Sequence, residues 1–337
     1  MKWGTFLITA ALPKDNHYEA VQNSLTYARA AEEMGFDDIW VLEHHFTGYG
    51  LCGAPLSMAA WVLAQTKRIK VGSAVSVVPL THPLRLAEEV ALLDVLTDGR
   101  INWGAGRGFE AAEFRAFGVP PDETAPRFRE AVEVVRAAWT SERLNFHGKF
   151  WDFDDVEVLP KPVQRPHPPT WVAATSVEAV SWAAAMGYEI LMDPHSSFAE
   201  IRAKYDQYAA DRAEHGFPPP GDTPMARLLA VAATDEEAER VAHAGAAWTI
   251  GAYAHAVAAS QSAAGAGRSA AASGRADDEV AARIEGYVRD RIIWGSPARV
   301  RDELARLREE MHLHYLMIAP LSHESFVRFT DEVMVHL

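Results

Sequence analysis

The sequence is poor in cysteine and in basic residues, and it lacks long hydrophobic runs. Its one cysteine, Cys52, excludes an internal disulfide and a cysteine-based zinc site, and it fits a reducing compartment. The 32 basic residues form no run and are outnumbered by 46 acidic ones, so the net charge of −14 argues against a nucleic-acid partner and against an anionic membrane surface. No apolar stretch is long enough to span a bilayer, and the N-terminus has no signal-peptide pattern. We therefore expect a cytoplasmic globular protein with no nucleic-acid or membrane partner.

What the sequence does contain is a regular alternation of two patterns. Short apolar runs alternate with amphipathic helical stretches along all 337 residues, which is typical of βα units around a parallel sheet. We predict eight strands, at residues 3–8, 38–43, 70–78, 101–105, 170–174, 189–192, 225–232 and 314–319. Helices are predicted at residues 18–34, 83–96, 128–140, 176–186, 297–311 and 322–335. This order predicts an α/β protein, a (β/α)8 TIM barrel in one domain over residues 1–337, with a doubly wound sheet as the alternative.

Two segments depart from this alternation. Residues 144–159 alternate apolar and polar side chains around an aromatic cluster, which predicts a β-hairpin inserted after the fourth strand. Residues 258–278 are rich in Ala, Gly and Ser and have almost no large apolar side chain, so we expect a mobile loop after the seventh strand. This loop is either a neutral linker or a lid, since such barrels keep their active sites at the carboxyl ends of the strands.

The end of the second predicted strand carries titratable side chains. Glu43, His44, His45 and Phe46 follow an apolar run and precede a glycine-rich loop, a position where parallel α/β enzymes place active-site residues. Adjacent residues of a strand point to opposite faces, so the two histidines cannot bind one metal ion together. We take His44 as the candidate acid/base group, with the other histidine bracing the loop. No metal site is predicted.

Three further segments indicate an anion and a flat ligand. Arg107 lies among the small residues 104–108, and the spacing of the glycines there does not match the dinucleotide-binding pattern GxGxxG. These small residues either pack at the rim of a barrel or let a flat ligand approach the backbone while Arg107 binds a phosphate. Thr175 and Ser176 begin a helix, where hydroxyls and free N–H groups bind anions, and Arg127 makes a phosphate site plausible. Because no Walker motif is present, the phosphate would belong to a cofactor. His82 is as consistent with a structural residue as with a functional one.

Taken together, these residues resemble the bacterial luciferase-like family of flavin-dependent monooxygenases, and most closely its luciferase alpha-subunit branch. The matching segments include MKWGTFL at the start, GFDDIW, LEHHFT and FRAFG, and the match is nearly gap-free through about residue 120. The later segment WGSPARV is typical of the wider superfamily. The resemblance implies a barrel that binds reduced FMN at the carboxyl ends of its strands, and His44 matches the family's catalytic histidine. The resemblance places the cofactor phosphate at Arg107, Arg127, Thr175 and Ser176. It places the flavin ring against Ala74 and Val75, which are often joined by a non-proline cis peptide bond in the family, with Glu43 and Gly106 beside the ring. The substrate pocket would lie at His45, His82 and Phe109.

The activity that the resemblance implies is that of a two-component FMNH2-dependent monooxygenase. Such an enzyme inserts one oxygen atom from O2 into a small organic substrate through a flavin hydroperoxide. It would receive FMNH2 from a separate flavin reductase and form a homodimer through helices of its N-terminal half. The alternatives are an F420-dependent oxidoreductase of the same superfamily and a non-catalytic flavin-binding subunit.

Three positions depart from the luciferase pattern. Gly106 replaces a reactive cysteine, which we expect to open space for a substrate bulkier than a linear aldehyde. Thr175 replaces a carboxylate near the phosphate, which should ease anion binding, and residues 193–194 replace an aromatic at the end of the sixth strand. We therefore do not predict light emission.

Overall fold

The structure is a computed structural model that describes residues 1–10, 16–48, 50–221, 223–262, 273–311 and 313–337, with side chains omitted within 252–262 and 273–278. Its strands are β1 Lys2–Leu7, β2 Asp38–Val41, β3 Lys70–Ser73, β4 Ser76–Val77, β5 Ile101–Gly106, β6 Leu144–His147, β7 Asp152–Val156, β8 Thr170–Ala173, β9 Glu189–Leu191, β10 Met225–Val231, β11 Ile292–Gly295 and β12 Tyr315–Pro320. Its helices are α1 His17–Glu33, α2 Pro55–Gln65, α3 Pro83–Leu96, α4 Ala111–Phe117, α5 Thr124–Thr140, α6 Val177–Ala185, α7 Phe198–Glu214, α8 Asp235–Ser262, α9 Ser273–Arg291, α10 Pro297–Met311 and α11 His323–Arg328.

The chain forms two compact units. The N-terminal unit comprises Gly4–Ala173 and Tyr188–Leu191. The C-terminal unit comprises Met1–Trp3, Ala174–Gly187 and Met192–Leu337. None of the helices in the described part of the chain is both long and apolar enough to cross a membrane.

In the N-terminal unit, parallel strands pair in the order β1, β2, β3, β5, β8 and β9, and β4 pairs with β5. Most residues of these strands are buried, including polar ones such as Thr5, Asp38 and Asn102, as expected for a parallel sheet that is covered on both faces. Trp40 of β2 is fully buried and lies edge-to-face with Trp171 at 5.2 Å. A Cβ atom at Gly72 would lie 2.6 Å from the Trp40 ring, so the glycine of the neighbouring strand makes room for the indole.

In the C-terminal unit, β10 pairs in parallel with β12 and with β11. All seven residues of β10 are buried. Helix α10 buries Val300, Leu304, Leu307 and Met311, which recur at the helical spacing that gives a helix one apolar face.

The eight predicted strands are all found, and one further strand was missed. β11 has four residues that follow α9 directly, too short a run to give a strand pattern of its own, and only its parallel pairing from Leu228–Ile292 to Val231–Gly295 defines it. The third predicted strand is divided into β3 and β4 around a cis peptide bond between Ala74 and Val75.

The predictions for the two unusual segments have different outcomes. The hairpin is confirmed, because β6 and β7 pair antiparallel. The predicted loop at 258–278 is wrong in its first and last residues, because α8 continues to Ser262 and α9 starts at Ser273. The middle of the predicted loop, residues 263–272, lies outside the described residues. The predicted C-terminal helix is shorter than expected, because a π-helical turn at Phe329–Val333 follows α11.

Candidate functional site

Three neighbouring strands of the N-terminal unit bring candidate residues to one edge of the sheet. His44 follows β2, Ala74 and Val75 follow β3, and Arg107 follows β5. The carboxyl ends of parallel strands lie at the same edge, where barrels of this class build their sites. The amide of Ala74 donates a hydrogen bond to the carbonyl of Val41 at 2.7 Å, so the segment after β3 is tied to the end of β2.

His44 is half-buried and held closely by the glycine-rich loop that follows it. Its amide donates to the carbonyl of Cys52 at 3.0 Å. A Cβ atom at Gly50 would lie 2.9 Å from His44 Cδ2, so only a glycine lets this loop pass so near the imidazole. The ring of Phe109, whose side chain is half exposed, lies edge-on to the imidazole at 6.3 Å. The structure therefore brings the predicted acid/base group and one predicted pocket residue together.

Glu43 is engaged by protein groups on both carboxylate oxygens. Oε2 accepts a hydrogen bond from the amide of Val77 at 2.8 Å, and Oε1 lies 3.0 Å from Nε2 of His45. The two side chains are only 8% and 12% exposed. Glu43 therefore links the end of β2 to β4 and to His45, while its predicted contact with the cofactor stays a prediction.

His45 lies between carboxylates of two different elements. Besides its contact with Glu43, its amide donates to Oε1 of Glu113 on α4 at 2.9 Å. The hydrogen bond to the Glu43 carboxylate raises the pKa of His45, and the charge of Glu113 adds to this effect. Burial raises the pKa of the Glu113 carboxyl, which is 2% exposed. The sequence analysis missed Glu113, because it lies 68 residues from its partner and no local pattern marks it.

The surface beneath a flat ligand would be formed by the segments after β3 and β5. The peptide bond between Ala74 and Val75 is cis, as the resemblance suggests. A Cβ atom at Gly106 would lie 2.1 Å from Cγ2 of Val75. The side chain of Val75 thus fills the place of a side chain at position 106. The expectation that Gly106 opens space is therefore wrong, and the size of the substrate stays a prediction.

The two arginines predicted to bind phosphate differ in their surroundings. Arg107 is exposed and makes no hydrogen bond or ion pair with any residue that the structure describes. The guanidinium of Arg127 pairs with Glu123 at 2.7 Å and lies over the rings of Phe150 and Trp151, at 4.6 and 5.6 Å. Arg107 is thus available to an anionic ligand, whereas Arg127 is already held by the protein.

The predicted hairpin packs on this part of the N-terminal unit. The carboxylate of Glu130 on α5 accepts hydrogen bonds from the amides of Lys149, Phe150 and Trp151 in the hairpin turn, at 3.0, 2.8 and 2.8 Å. The ring of His82 stacks on Trp151, with centroids 6.1 Å apart and planes 5° from parallel. These contacts give His82 a structural role in seating the hairpin; its predicted contact with substrate stays a prediction.

Thr175 and Ser176 belong to the C-terminal unit. Ser176 caps α6, because its hydroxyl accepts a hydrogen bond from the amide of Ala179 at 3.2 Å. Both residues are exposed, and their role in binding phosphate stays a prediction. Across the described ranges, no group of three or more metal-binding side chains is found.

The chain matches the family described as Luciferase-like monooxygenase over residues 1–314. Among curated relatives, the alkanal monooxygenase alpha chain of Photorhabdus luminescens is 33% identical over 216 residues, which cover 64% of this chain and 60% of that protein. The match therefore spans less than two thirds of this relative's length.

Solved structures with the same fold cover the chain almost completely. Monooxygenase RslO1 from Streptomyces bottropensis has a TM-score of 0.83 at 26% identity, over 100% of this chain and 99% of that one. The oxygenating constituent of 3,6-diketocamphane monooxygenase from Pseudomonas putida, in complex with FMN, has a TM-score of 0.80 at 19% identity, over 100% and 99%. An F420-dependent secondary alcohol dehydrogenase has a TM-score of 0.76 at 16% identity, over 98% of both chains.

These findings confirm the predicted α/β fold class of the luciferase-like type and the resemblance on which it was based. The predicted monooxygenase class is confirmed at the level of the family, and the dependence on a flavin stays a prediction. The protein belongs to the luciferase-like monooxygenase family.

Proposed function

We propose that the protein is the oxygenating component of a two-component monooxygenase, which uses FMNH2 and O2 to insert one oxygen atom into a small organic substrate. The observation that carries this proposal is the edge formed by β2, β3 and β5, where an imidazole, a surface of small residues and an unpaired guanidinium follow neighbouring parallel strands. A relative of the same fold is described in complex with FMN, which agrees with this choice of cofactor.

The residues at this edge fit a phosphorylated flavin. Arg107 has the free donors that bind a phosphate, and a guanidinium matches phosphate geometry well. The segment Ala74–Val75 and the glycine at position 106 offer backbone without large side chains, apart from Val75 itself. When bound, reduced FMN would supply the electrons that activate O2. Contacts of Arg127, Thr175 and Ser176 with the phosphate are part of this proposal.

His44 would hold and transfer a proton at its imidazole during the reaction. An imidazole titrates near neutral pH, which suits a general acid/base group. Phe109 covers one side of the ring, and the loop at Gly50 covers another, so both limit the access of water to it. Glu43 and His45 would fix the position of His44 through the contacts at either end of this short segment.

The proposed partners are a flavin reductase and a second copy of the chain. Helix α3 leaves Leu92, Val95 and Leu96 exposed, and α2 leaves Trp61 partly exposed. An apolar helix face of this kind is typical of surfaces that pack against another protein. We therefore propose a homodimer that packs through α2 and α3, to be checked by light scattering. A cytoplasmic location remains part of the same proposal.

The test is a direct comparison of cofactors followed by turnover. The protein would be titrated with FMNH2 under anaerobic conditions and with F420, and then incubated in air with FMN, NADH, a generic flavin reductase and candidate substrates. We expect FMNH2 binding and a substrate mass gain of one oxygen atom. Tight F420 binding without FMNH2 binding would support the F420-dependent alternative, and FMNH2 binding with unchanged turnover in a His44→Ala variant would show that the histidine has no catalytic role.

A further inference from the structure

A buried arginine in the C-terminal unit lacks partners for most of its guanidinium. Arg227 is the third residue of β10 and its side chain is 0% exposed. Its Nη1 donates to the carbonyls of Ala226 and Pro194, at 3.0 and 3.5 Å, and its guanidinium lies 4.4 Å from the ring centroid of Phe198. Its Nε and Nη2 have no hydrogen-bond partner, and it has no ion pair in the described part of the chain. Such a group is rare, because a buried charge is normally paired.

The charges around Arg227 do not balance. Arg291 and Lys204 add two positive charges nearby, through hydrogen bonds to the carbonyl of His195 and the hydroxyl of Ser196, at 2.6 and 2.8 Å. Against these three cations stand two carboxylates. Asp193 already accepts hydrogen bonds from the amide of His195 and the hydroxyl of Ser196, and Glu200 accepts from Ser197. One positive charge is therefore left uncompensated.

The neighbouring ionisable groups do not remove this excess. Burial lowers the pKa of Arg227 to about 10, so that the guanidinium stays charged near neutral pH. Burial likewise lowers the pKa of His195 to about 4, with Arg227 and Arg291 acting in the same direction, so its imidazole is neutral and bonds to the hydroxyl of Tyr287. The charge of Asp193 acts on Arg227, but no carboxylate forms an ion pair with it in the described part of the chain.

A second unpartnered donor comes from α7. The hydroxyl of Tyr205 is buried and has no hydrogen-bond partner in the described residues. Burial raises its pKa, so it remains a neutral donor. Tyr205 lies seven residues after Phe198, which places both on one face of α7. The helix face that covers the guanidinium with an aromatic ring thus also carries the free hydroxyl.

An open cleft borders this cluster. It has a volume of about 440 Å³ and is lined in part by Phe198, Ile292, Ile293, Arg289, Arg299 and Arg306. Its three arginines are each paired with carboxylates, namely Asp290, Asp235, Glu303 and Glu310. Phe198 therefore lies between the cleft and the Arg227 guanidinium, which its ring contacts on the other side.

We propose that Arg227 and Tyr205 bind a small monovalent anion of the size of chloride or formate. The two groups are close enough to interact electrostatically, and such an ion would accept hydrogen bonds from Nε and Nη2 of the arginine and from the tyrosine hydroxyl. It also neutralises the charge that no carboxylate in the cluster compensates. Neither Arg227 nor Tyr205 is among the residues proposed to bind the flavin, although both belong to the C-terminal unit with Thr175 and Ser176.

The first test compares thermal unfolding in potassium chloride, potassium formate and potassium gluconate at one ionic strength. An anion that binds only the folded protein should raise the Tm by about 4 °C at a hundredfold excess over its Kd. We expect this rise with chloride or with formate, relative to the larger gluconate, in the wild type. It should be lost in Arg227→Met and reduced in Tyr205→Phe, which keeps the ring and removes the hydroxyl.

The control is Arg289→Met, because Arg289 is exposed and paired with Asp290, and it should keep the full response. Crystals grown in bromide should show an anomalous peak within hydrogen-bond distance of Arg227 Nη2. Equal Tm values in all three salts would overturn the proposal. A response retained in both Arg227→Met and Tyr205→Phe, or an ordered water in place of bromide, would also overturn it. If Arg227→Met does not fold, the Tm response of Tyr205→Phe and the anomalous peak in the bromide crystal test the proposal in its place.

Discussion

The side chain of Val75 and the glycine at position 106 form a pair whose coupling can be measured. In Gly106→Ala, the new methyl group would lie 2.1 Å from Val75 Cγ2, far inside the normal carbon–carbon contact of about 3.5–4.0 Å. Overpacking of this kind costs about 1–3 kcal/mol, offset by about 0.4–1 kcal/mol from the lower entropy of the unfolded chain. We expect a net loss of about 1–2 kcal/mol in the free energy of unfolding.

The double variant isolates the contact. Val75→Ala removes the two methyl groups that meet position 106 and should cost about 1–2 kcal/mol by itself, since the side chain is half-buried. In Val75→Ala/Gly106→Ala the new methyl group occupies the space released, although Cβ of residue 75 still lies 3.0 Å away. The losses should therefore fall short of their sum by about 1 kcal/mol.

Urea denaturation, fitted with one slope for all variants, gives these free energies. The matched control is Gly286→Ala in α9, where a new Cβ atom would meet only the end of the Arg289 side chain, at 3.9 Å. It should be neutral or stabilising, because alanine is favoured over glycine within helices. Losses that add within about 0.3 kcal/mol, or a Gly106→Ala variant as stable as the wild type, would refute the contact.

Three other predictions concern the same unit. Arg107→Met should weaken FMN binding by about 10–100-fold in a fluorescence titration, because a charge-assisted hydrogen bond is lost. The control Arg85→Met, which replaces an exposed arginine paired with Glu89, should leave FMN binding unchanged. Equal affinities in the wild type and both variants would contradict the phosphate role of Arg107. Glu113→Leu should lower the free energy of unfolding by about 1–3 kcal/mol, because it leaves the buried amide of His45 without an acceptor. Glu113→Gln keeps an acceptor oxygen and should retain most of that stability. A Leu variant as stable as the Gln variant would argue against this contact. The pKa of His45 is raised in the folded protein, so its contribution to stability is complete below about pH 6.5 and is lost as the pH rises through the pKa of the folded state. The difference in unfolding free energy between the wild type and His45→Gln should therefore narrow as the pH rises through that pKa. A difference that widens would contradict the charged contact with Glu43.

The sequence predicted the strands well because burial on both faces leaves clear apolar runs. β10 is such a run, because all seven of its residues are buried and all but Arg227 are apolar. The strand prediction failed for β11, which is defined only by its pairing with a neighbouring strand. It also failed at Ala74–Val75, where a cis peptide bond divides one apolar run into two strands. The expectation of a single domain over residues 1–337 stays a prediction.

In the site, the sequence identified residues that lie at strand ends but not the groups that surround them. His44 and Arg107 were found because titratable groups directly after apolar runs are unusual. Glu113 gave no signal, since a glutamate in the first turn of a helix is common and its partner is distant in sequence. The interpretation of Gly106 was wrong for a related reason: the space at a glycine is decided by a side chain from another strand, here Val75, which no local pattern reveals.

The hairpin illustrates how one side chain can set the exchange behaviour of a whole turn. Because the single carboxylate of Glu130 accepts the amides of Lys149, Phe150 and Trp151, these three protons should exchange with solvent together and not one by one. The turn therefore opens as a cooperative unit whose lifetime depends on one glutamate side chain. Its opening would release the ring that stacks on His82 and the aromatic face that holds Arg127 in the same event.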